Sequence, residues 1–563
     1  MGMIDIGHGF QFPEEYWTSE YQSLFPQKLL NMLAHLLHEL GPARDILLIR
    51  RGERQFGWNC GELPDFPERN SEAVTGKWKV DPIPKELRKR RVEITGPVNS
   101  AKLVINILSR NEKGSRADMA MLDFEDSLKP DFFNILSGYL NVIGAVEGTL
   151  TTEAEGKKYQ LNSEDMAYVM VRVRGLHLVE SNLTFEGEAV PAGLLDLVVC
   201  FFHTACIYLD KNLTPKYYIP KCEHFHEARW WNDLFVSLQK RMSLPAGTLK
   251  ATFLIETLPA TFQVEEILYE IREHAAGLNV GRWDKIFSDI KVLRNNPERI
   301  LGDRSSLTME KPWMENYAKR VIKICHERGA FAMGGMSAFT PGKTPEMREE
   351  QAMKVRTDKQ REASWGHDGC WVSHPYFIDI AMEAFQSDNQ LERTLPDFDK
   401  YSDVLPRGEG PYTMNGLRTN IRVGIAYLEG WERDIGCVSF DHLLEDLATL
   451  EISRAQVWQW LHHGITLESG EVVTKELVLK LFDEECGKII AENGNGNWKD
   501  AAGKASSLFL EKDLRNFLTT ESDPVMEKKG SNSWNTLSTK SGSFSMPGRT
   551  IPDGEELSGT IQP

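Results

Sequence analysis

Residues 252–284, TFLIETLPATFQVEEILYEIREHAAGLNVGRWD, contain the pattern that decides the fold. Two short apolar runs, at 252–255 and 276–280, flank a segment at 262–274 whose apolar residues recur at helical spacing. Glu256 follows the first run, and Gly281-Arg282-Trp283-Asp284 follows the second. The stretch therefore predicts a strand, a helix and a second strand, with polar side chains where each strand ends.

The same alternation of apolar runs and helical patterns continues on both sides of this stretch. Eight runs occur, at 92–95, 119–124, 167–171, 217–219, 252–255, 276–280, 331–333 and 370–373. Helical patterns lie between them, as at 103–108, 132–146, 194–209, 230–241 and 317–328. Eight strand–helix units over about 300 residues favour an α/β fold of the TIM (β/α)8 barrel type. An open doubly wound sheet is the main alternative, but it usually carries a glycine-rich phosphate turn, and Gly96-Pro97-Val98-Asn99 is not one.

The regions around these units divide the chain into four predicted parts. Residues 1–85 are expected to be helical and then irregular, with a helix at 27–40 that ends at Gly41-Pro42. Residues 86–390 form the predicted barrel. Residues 391–522 begin as a linker and continue as helices near 419–435, 441–460 and 475–492. Residues 523–563 are rich in Ser, Thr, Gly, Pro and Lys, so we expect disorder there.

The composition excludes several classes of protein. Of 563 residues, 41% are hydrophobic and 26% charged, which is ordinary for a soluble globular protein. The net charge of −17 argues against general nucleic-acid binding, although a local arginine, metal or helix N-terminus can still hold a small anion. We find no apolar run long enough to span a bilayer, and residues 1–12 lack the features of a secretory signal. The eight scattered cysteines are expected to be reduced thiols.

Polar residues follow most of the predicted strands. The strand ends carry Asp123-Phe124-Glu125-Asp126, Arg172-Val173-Arg174-Gly175, Lys221-Cys222-Glu223, Glu256, Gly281-Arg282-Trp283-Asp284 and His374-Pro375. In a barrel of this type the active site lies at the carboxyl ends of the strands. Carboxylates crowded on one rim repel each other unless a cation lies among them, and Mg²⁺ prefers such oxygen ligands. Individual acids could instead cap the following helices, but the set favours a site.

Several motifs resemble those of one enzyme family. Residues 272–287, REHAAGLNVGRWDKIF, closely resemble the signature of malate synthases, with Lys285 where the family pattern has Tyr. Further similar stretches are 91–97, 123–127, 171–175, 227–232, 334–341, 445–446 and 451–460. The matches run in family order from about residue 90 to residue 460, which is far more specific than one motif.

The resemblance implies a TIM barrel with an N-terminal helical clasp, residues 1–85, and a C-terminal all-helical plug, residues 391–522. It also implies the shorter isoform A type of the family. The implied reaction is a Claisen condensation of acetyl-CoA with glyoxylate, followed by hydrolysis of malyl-CoA to malate and CoA. Mg²⁺ is the implied cofactor.

The resemblance also implies roles for individual residues. Glu256 and Asp284 are similar to the Mg²⁺ ligands, and Arg172 to the arginine that contacts glyoxylate and the enolate oxygen. Asp446, on the plug, resembles the general base. The other implied site residues are Gly281, Arg282, Trp283 and Asp284, whose backbone would hold the glyoxylate carboxylate; Glu125 and Asp126, acids near metal and arginine; and Pro341, beside the acetyl-CoA pocket.

Two other functions remain open at this point. One is a malyl-CoA or citramalyl-CoA lyase of the related barrel family, whose chains are generally shorter; the other is a catalytically silent CoA-binding protein. The chain ends in Thr560-Ile561-Gln562-Pro563 rather than a Ser-Lys-Leu type address, so peroxisomal, glyoxysomal and cytoplasmic locations all stay open. We expect acetyl-CoA and glyoxylate as partners, and neither nucleic acid nor a membrane. The oligomeric state is not predicted.

Overall fold

The computed structural model describes residues 2–519, so the predicted tail at 523–563 lies outside the described residues. The strands are β1 Met3–Gly7, β2 Phe10–Pro13, β3 Val92–Pro97, β4 Met119–Asp123, β5 Thr151–Ala154, β6 Lys157–Gln160, β7 Tyr168–Arg172, β8 Val179–Phe185, β9 Glu188–Pro191, β10 Lys216–Ile219, β11 Lys250–Ile255, β12 Ala275–Val280, β13 Phe331–Ser337, β14 Gly369–Val372, β15 Val438–Phe440 and β16 Leu443–Glu445.

The helices alternate with the barrel strands and then form most of the C-terminal region. They are α1 Ser19–Gln22, α2 Gln27–Asn59, α3 Glu72–Thr75, α4 Ala101–Leu108, α5 Phe132–Glu147, α6 Ala192–Asp210, α7 Phe225–Arg241, α8 Leu258–Phe262, α9 Val264–Glu270, α10 Trp283–Val292, α11 Pro312–Arg328, α12 Pro345–Trp365, α13 Ile378–Ala384, α14 Met414–Glu432, α15 Leu447–His462, α16 Lys475–Asn493 and α17 Trp498–Phe509.

The barrel contains the eight predicted strands in the predicted order. Strands β3, β4, β7, β10, β11, β12, β13 and β14 are parallel and close on themselves, because β14 pairs with β3. Large apolar side chains such as Met121, Met170 and Phe331 fill the barrel interior. The predicted TIM barrel is therefore confirmed, and all eight carboxyl ends meet at one rim.

One predicted helix within the barrel is wrong as a continuous element. Within the predicted segment at 262–274, Phe262 is the last residue of α8, the helix is interrupted at Gln263, and α9 ends at Glu270. The Gln263 side chain accepts a hydrogen bond from the backbone of Phe225, on the neighbouring unit. This tertiary contact accompanies the break, which the apolar spacing alone does not indicate.

The N-terminal region is helical, but its main helix is longer than predicted. α2 continues through Gly41-Pro42 to Asn59, so the predicted end at Gly41-Pro42 is wrong. Proline in a helix costs a backbone hydrogen bond. Here contacts with the barrel hold both sides of the proline: Trp230 donates to the Leu40 carbonyl, and Arg44 donates to the Leu176 and Leu178 carbonyls. In addition, β1 and β2 join β8 and β9 in a four-stranded antiparallel sheet.

The C-terminal region is helical, as predicted, and contains α14 to α17 around its own apolar core. It includes one addition, the antiparallel hairpin of β15 and β16. The helix predicted at 441–460 begins later, at Leu447, because Asp446 caps its N-terminus. The hairpin backbone also reaches the barrel, since the Leu444 N–H donates to the Ala338 carbonyl.

The sequence prediction that no apolar run could span a bilayer is wrong for one described helix. α6 has 19 residues and a mean hydropathy of 1.8, which is long and apolar enough. However, 72% of its apolar stretch is buried inside the protein, where α6 packs against α5 and α2. These contacts are those of a core helix.

Candidate active site

A small cavity lies between the carboxyl ends of the barrel strands and the start of α15. Its volume is about 60 Å³, well below the roughly 300–1,000 Å³ of a drug-sized pocket, so it suits a molecule of a few non-hydrogen atoms. The lining residues are Thr95, Gly96, Asp123, Asp126, Ser127, Arg172, Leu254, Glu256, Asn279, Val280, Gly281, Arg282, Trp283, Asp284, Met336, Trp371, Leu444, Asp446 and Ala448. Eight of the ten predicted site residues therefore surround one cavity.

Four carboxylates at this rim surround a single ammonium group. The Nζ atom of Lys221 lies 2.9 Å from Glu125 Oε1 and 2.8 Å from Asp126 Oδ2. It also lies 3.0 Å from Asp284 Oδ1 and 3.7 Å from Glu256 Oε1. The structure thus brings Glu256 and Asp284, from neighbouring strand ends, to the same point, as the strand–helix spacing predicts.

Arg172, the last residue of β7, is held in one orientation by a carboxylate from the neighbouring strand. Its Nε and Nη2 atoms each donate to Asp123 at 2.6 Å. Its Nη1 atom lies 3.3 Å from Glu125 and 3.5 Å from Asp126. Although burial alone lowers the pKa of Arg172, these carboxylates raise it well above the usual value, so the guanidinium stays charged.

Three acids at this rim lie in an environment that disfavours ionisation. Burial raises the pKa of Glu125, Glu256 and Asp284, and repulsion from neighbouring carboxylates adds to the effect in each case. Asp126 differs, because Lys221 and Arg172 outweigh burial and lower its pKa. The buried acids outnumber the cations that pair with them, and a further cation would relieve the repulsion between the carboxylates.

The loop from Gly281 to Asp284 brings the start of α10 against the cavity. Gly281 is required by close approach, because a Cβ atom there would lie 2.9 Å from the Cβ of Glu256. Tyr317 fixes the loop by accepting from the Gly281 N–H at 3.1 Å and donating to the Ile255 carbonyl. The free N–H groups of a helix N-terminus are a suitable site for a small carboxylate.

Asp446 reaches the cavity from the C-terminal region. It is the N-cap of α15, where its carboxylate accepts from the Thr449 N–H at 3.2 Å. The next backbone N–H, of Leu447, donates to the Asp126 carbonyl at 3.1 Å, which ties α15 to the barrel rim. Burial raises the pKa of Asp446 well above its usual range, and Asp126 and Asp284 add to the effect.

Two neighbours of Asp446 have other partners. Glu445 pairs with Arg304 at 3.1 Å, and Arg454 pairs with Glu451 at 2.5 Å. Arg454 is therefore paired with Glu451 and not with Asp446.

Two protein-family models match most of this chain. The family model for the malate synthase TIM barrel domain matches residues 168–400, and the model for the malate synthase C-terminal domain matches residues 411–524. The chain belongs to the malate synthase family. Malate synthase A of Escherichia coli is 43% identical over 522 residues, which cover 90% of this chain and 96% of that protein.

Other malate synthases are similar over most of their length. The Myxococcus xanthus malate synthase is 43% identical, with 88% of this chain and 92% of that protein covered. The glyoxysomal malate synthase of Candida tropicalis is 40% identical, with 89% and 93% covered. The predicted family and enzyme class, an acyltransferase, are confirmed.

Lys285 stands where the malate synthase pattern has Tyr, and it lies away from the cavity. Its side chain is fully buried, and its Nζ atom lies 2.5 Å from Asp289, one turn further along α10. It also lies 5.7 Å from the ring centre of Tyr317, which fixes the Gly281 loop. The departure from the family pattern is thus accommodated by an ion pair behind the cavity wall.

The remaining predicted site residues lie near the cavity rather than in its lining. Glu125 contacts Arg172 and Lys221 from behind the wall. Pro341 lies on the loop after β13, where the preceding residue, Thr340, donates to the His442 carbonyl of the hairpin. The structure does not bring Pro341 to the lining of this cavity.

The sequence analysis missed Asp123 and Lys221 as individual site residues, although both lie in the polar strand ends that it identified. Asp123 is the last residue of β4, and Lys221 follows β10. Position at a strand end was the available signal, but nothing in the sequence separates an acid that fixes an arginine from one that caps a helix.

Proposed function

We propose that the chain condenses acetyl-CoA with glyoxylate and hydrolyses the resulting malyl-CoA to malate and CoA, with Mg²⁺ as cofactor. One observation carries the proposal: a buried ring of carboxylates and a fixed arginine surround a cavity of about 60 Å³ that suits a two-carbon acid. The similar proteins include a glyoxysomal and a bacterial malate synthase. We therefore propose a peroxisomal, glyoxysomal or cytoplasmic location for this protein.

The donor set fits Mg²⁺. Glu256 and Asp284 offer hard carboxylate oxygens at neighbouring strand ends, and Mg²⁺ usually takes one or two carboxylates together with water and substrate. When bound there, the ion would polarise the aldehyde of glyoxylate as a Lewis acid. Among residues 2–519, no group of three His, Cys, Asp or Glu side chains stands at metal-ligating spacing. The carboxylates of this site lie around the Lys221 ammonium group.

The protein side chains can carry the proton and charge steps. Asp446 takes a proton from the acetyl methyl group, and its raised pKa makes it a stronger base than an ordinary carboxylate. Arg172 donates to the enolate oxygen that forms as the C–H bond breaks. The enolate carbon then bonds to the aldehyde carbon of glyoxylate, while the C=O π pair moves to the aldehyde oxygen, which takes up a proton. The backbone of Gly281 to Asp284 holds the glyoxylate carboxylate. Water finally cleaves the thioester, and the CoA thiolate leaves.

Each of the four predicted parts of the chain has a separate role in the proposed reaction. In this proposal residues 1–85 are the clasp, 86–390 the barrel with the metal and glyoxylate, 391–522 the plug with the base, and 523–563 a tail. Glu125 and Asp126 hold Arg172 in place, and Pro341 contributes to the acetyl-CoA side. A base on a separate region allows the substrates to bind before the site closes.

The first test measures Mg²⁺ binding and turnover in two variants of the proposed ligands. We expect Glu256→Gln and Asp284→Asn each to weaken Mg²⁺ binding strongly, as seen by titration calorimetry with glyoxylate present, and to nearly abolish turnover. Asp118→Asn is the matched control, because Asp118 lies at the opposite end of β4, where it pairs with Arg91. Unchanged Mg²⁺ affinity in both site variants would remove these residues from the metal shell.

The product distinguishes the proposed reaction from its two alternatives. The parent protein, given acetyl-CoA, glyoxylate and Mg²⁺, should release free malate and free CoA. Accumulation of malyl-CoA would favour the lyase, and CoA binding without turnover would favour the silent protein.

A further inference from the structure

Lys221 occupies an unusual position in the backbone as well as in the site. It follows β10 with φ of 55°, in the left-handed region that residues with a side chain rarely adopt. This conformation lets one residue make two kinds of contact with the acids. Its backbone N–H donates to Glu256 Oε1 at 2.9 Å, while its ammonium group reaches Glu125, Asp126 and Asp284. Such strained residues cluster at functional sites.

Three buried contacts hold this backbone conformation. Arg51 of α2 donates to the Lys221 carbonyl at 2.8 Å. Thr257 donates to the next carbonyl, of Cys222, at 2.7 Å. Glu227 accepts from the backbone N–H of Glu223 at 2.8 Å. Two of the three partners, Arg51 and Thr257, are distant in sequence, so the surrounding structure, including the N-terminal helix, supports the strained conformation.

Acidic groups outnumber basic groups around the cavity. Six buried carboxylates lie around it, those of Asp123, Glu125, Asp126, Glu256, Asp284 and Asp446. The buried cations are Arg172 and Lys221, and the partly buried Arg282 also lines the cavity. Arg172 is committed to Asp123 by two hydrogen bonds. By contrast, the ammonium group of Lys221 contacts both Glu256 and Asp284, the carboxylates that would hold the metal. An ammonium group and a divalent ion at such close range compete for the same oxygens.

We propose that Lys221 is a positioning residue that shares the carboxylates with the divalent cation and holds them together when the cation is absent. This inference rests on the proposed function, since it takes Glu256 and Asp284 as the ligands. When the metal binds, the ammonium group retains Glu125 and Asp126, its two shortest contacts, and gives up Asp284. The backbone N–H continues to orient Glu256.

Two variants test the role of the ammonium group. Lys221→Met removes the charge and keeps most of the side-chain volume. Lys221→Gly removes the charge and relieves the backbone strain, so it keeps the proposal testable if the first variant folds poorly. For both we expect Mg²⁺, titrated by calorimetry with glyoxylate present, to bind about 5- to 150-fold more tightly than in the parent, the usual range for coupled sites. We also expect a larger fall in melting temperature in EDTA than in saturating Mg²⁺.

Lys216→Met is the matched control. Lys216 is also buried, but it begins β10 at the opposite end of the barrel, where its Nζ atom donates to the Thr214 carbonyl at 2.6 Å. This variant should lower the melting temperature equally with and without Mg²⁺, and it should leave Mg²⁺ affinity unchanged.

The outcomes separate this inference from the proposed function. If the parent binds Mg²⁺ and both Lys221 variants bind it with parental affinity, with equal losses of melting temperature in EDTA and Mg²⁺, Lys221 is merely structural and the inference is wrong. If the parent itself binds no Mg²⁺, the proposed function is wrong, and the sharing of carboxylates is wrong with it.

Discussion

Asp446 performs two tasks with one carboxylate, since it caps α15 and faces the cavity. Asparagine caps helices about as well as aspartate, but it is not a base. We therefore expect Asp446→Asn to fold normally and to lose about 10²–10⁴-fold in turnover rate, the usual cost of removing a general base. Mg²⁺ affinity should barely change, because the proposed ligands lie on the barrel. The variant should also fail to exchange acetyl-CoA methyl hydrogens with deuterated water under every condition in which the parent does so.

Asp131→Asn is the control for that substitution. Asp131 caps α5 in the same way, by accepting from the Phe133 N–H, but it does not line the cavity. Its variant should retain the parental rate. Near-normal turnover in Asp446→Asn would contradict the assignment of the base and would direct attention to Glu445, which pairs with Arg304.

Helix α2 contacts the barrel through a buried arginine. Arg51 donates to both carboxylate oxygens of Glu227, at 2.8 and 2.7 Å, and to the Lys221 carbonyl. Arg51→Met leaves the fully buried Glu227 with the Glu223 N–H as a donor and with Arg54, at 3.5 Å, as its remaining cation. We expect the free energy of unfolding, measured by urea denaturation, to fall by about 3–5 kcal/mol, the usual cost of breaking a buried ion pair.

The neighbouring arginine on the same helix provides the control. Arg50 is exposed, so Arg50→Met should change the free energy of unfolding by less than about 0.5 kcal/mol. Equal effects of the two substitutions would show that Arg51 contributes no more than a surface charge, and that α2 does not support the loop at Lys221.

A second contact between elements predicts a pH dependence. His326 of α11 places both ring nitrogens against acceptors, Asp368 at 2.9 Å and the Arg393 carbonyl at 2.7 Å. Although burial lowers the pKa of His326, Asp368 outweighs it and raises the pKa above the usual value. The contribution to stability is therefore complete below about pH 6.5, the unfolded pKa, and is lost as pH rises through the higher folded pKa.

His326→Gln should accordingly lower the free energy of unfolding by about 1.5–3 kcal/mol at pH 6, and by less at pH 9. His203→Gln is the control of opposite sign, because burial lowers the pKa of His203, so its protonation costs stability as pH falls. Urea denaturation across this pH range measures both. An effect of His326→Gln that is independent of pH would contradict the charged form of His326.

Residues 525–563 should contribute little to the stability or the activity of the protein. Their composition contains too few large apolar residues to offset the entropy of ordering them. We expect their deletion to leave turnover intact and to change the melting temperature by less than about 2 °C, a shift that corresponds to under about 1 kcal/mol in a large domain.

A longer deletion, of residues 513–563, is the control. It also removes Leu518, which is fully buried, and Phe517, which packs 5.5 Å from the ring of Phe287. This variant should lose stability markedly. If the short deletion is as destabilising as the long one, residues 525–563 pack on the enzyme after all.

The sequence alone determined the barrel and the edge at which its site lies. Short apolar runs separated by helical patterns are local signals, and they placed all eight barrel strands. Because parallel strands all end at one rim, the polar residues after them could be assigned to one place before any contact was known. Glu256, Asp284 and Arg172 follow from that argument, and the structure brings them to one cavity.

Only the tertiary structure decided the features that depend on contacts distant in sequence. These include the passage of α2 through Gly41-Pro42, the break at Gln263 and the pairing of β2 with β8. Each of these features depends on a partner from another part of the chain. The local periodicity of the sequence contains no information about that partner. The same holds within the site: Lys221 takes its left-handed backbone because Arg51, 170 residues earlier, holds its carbonyl.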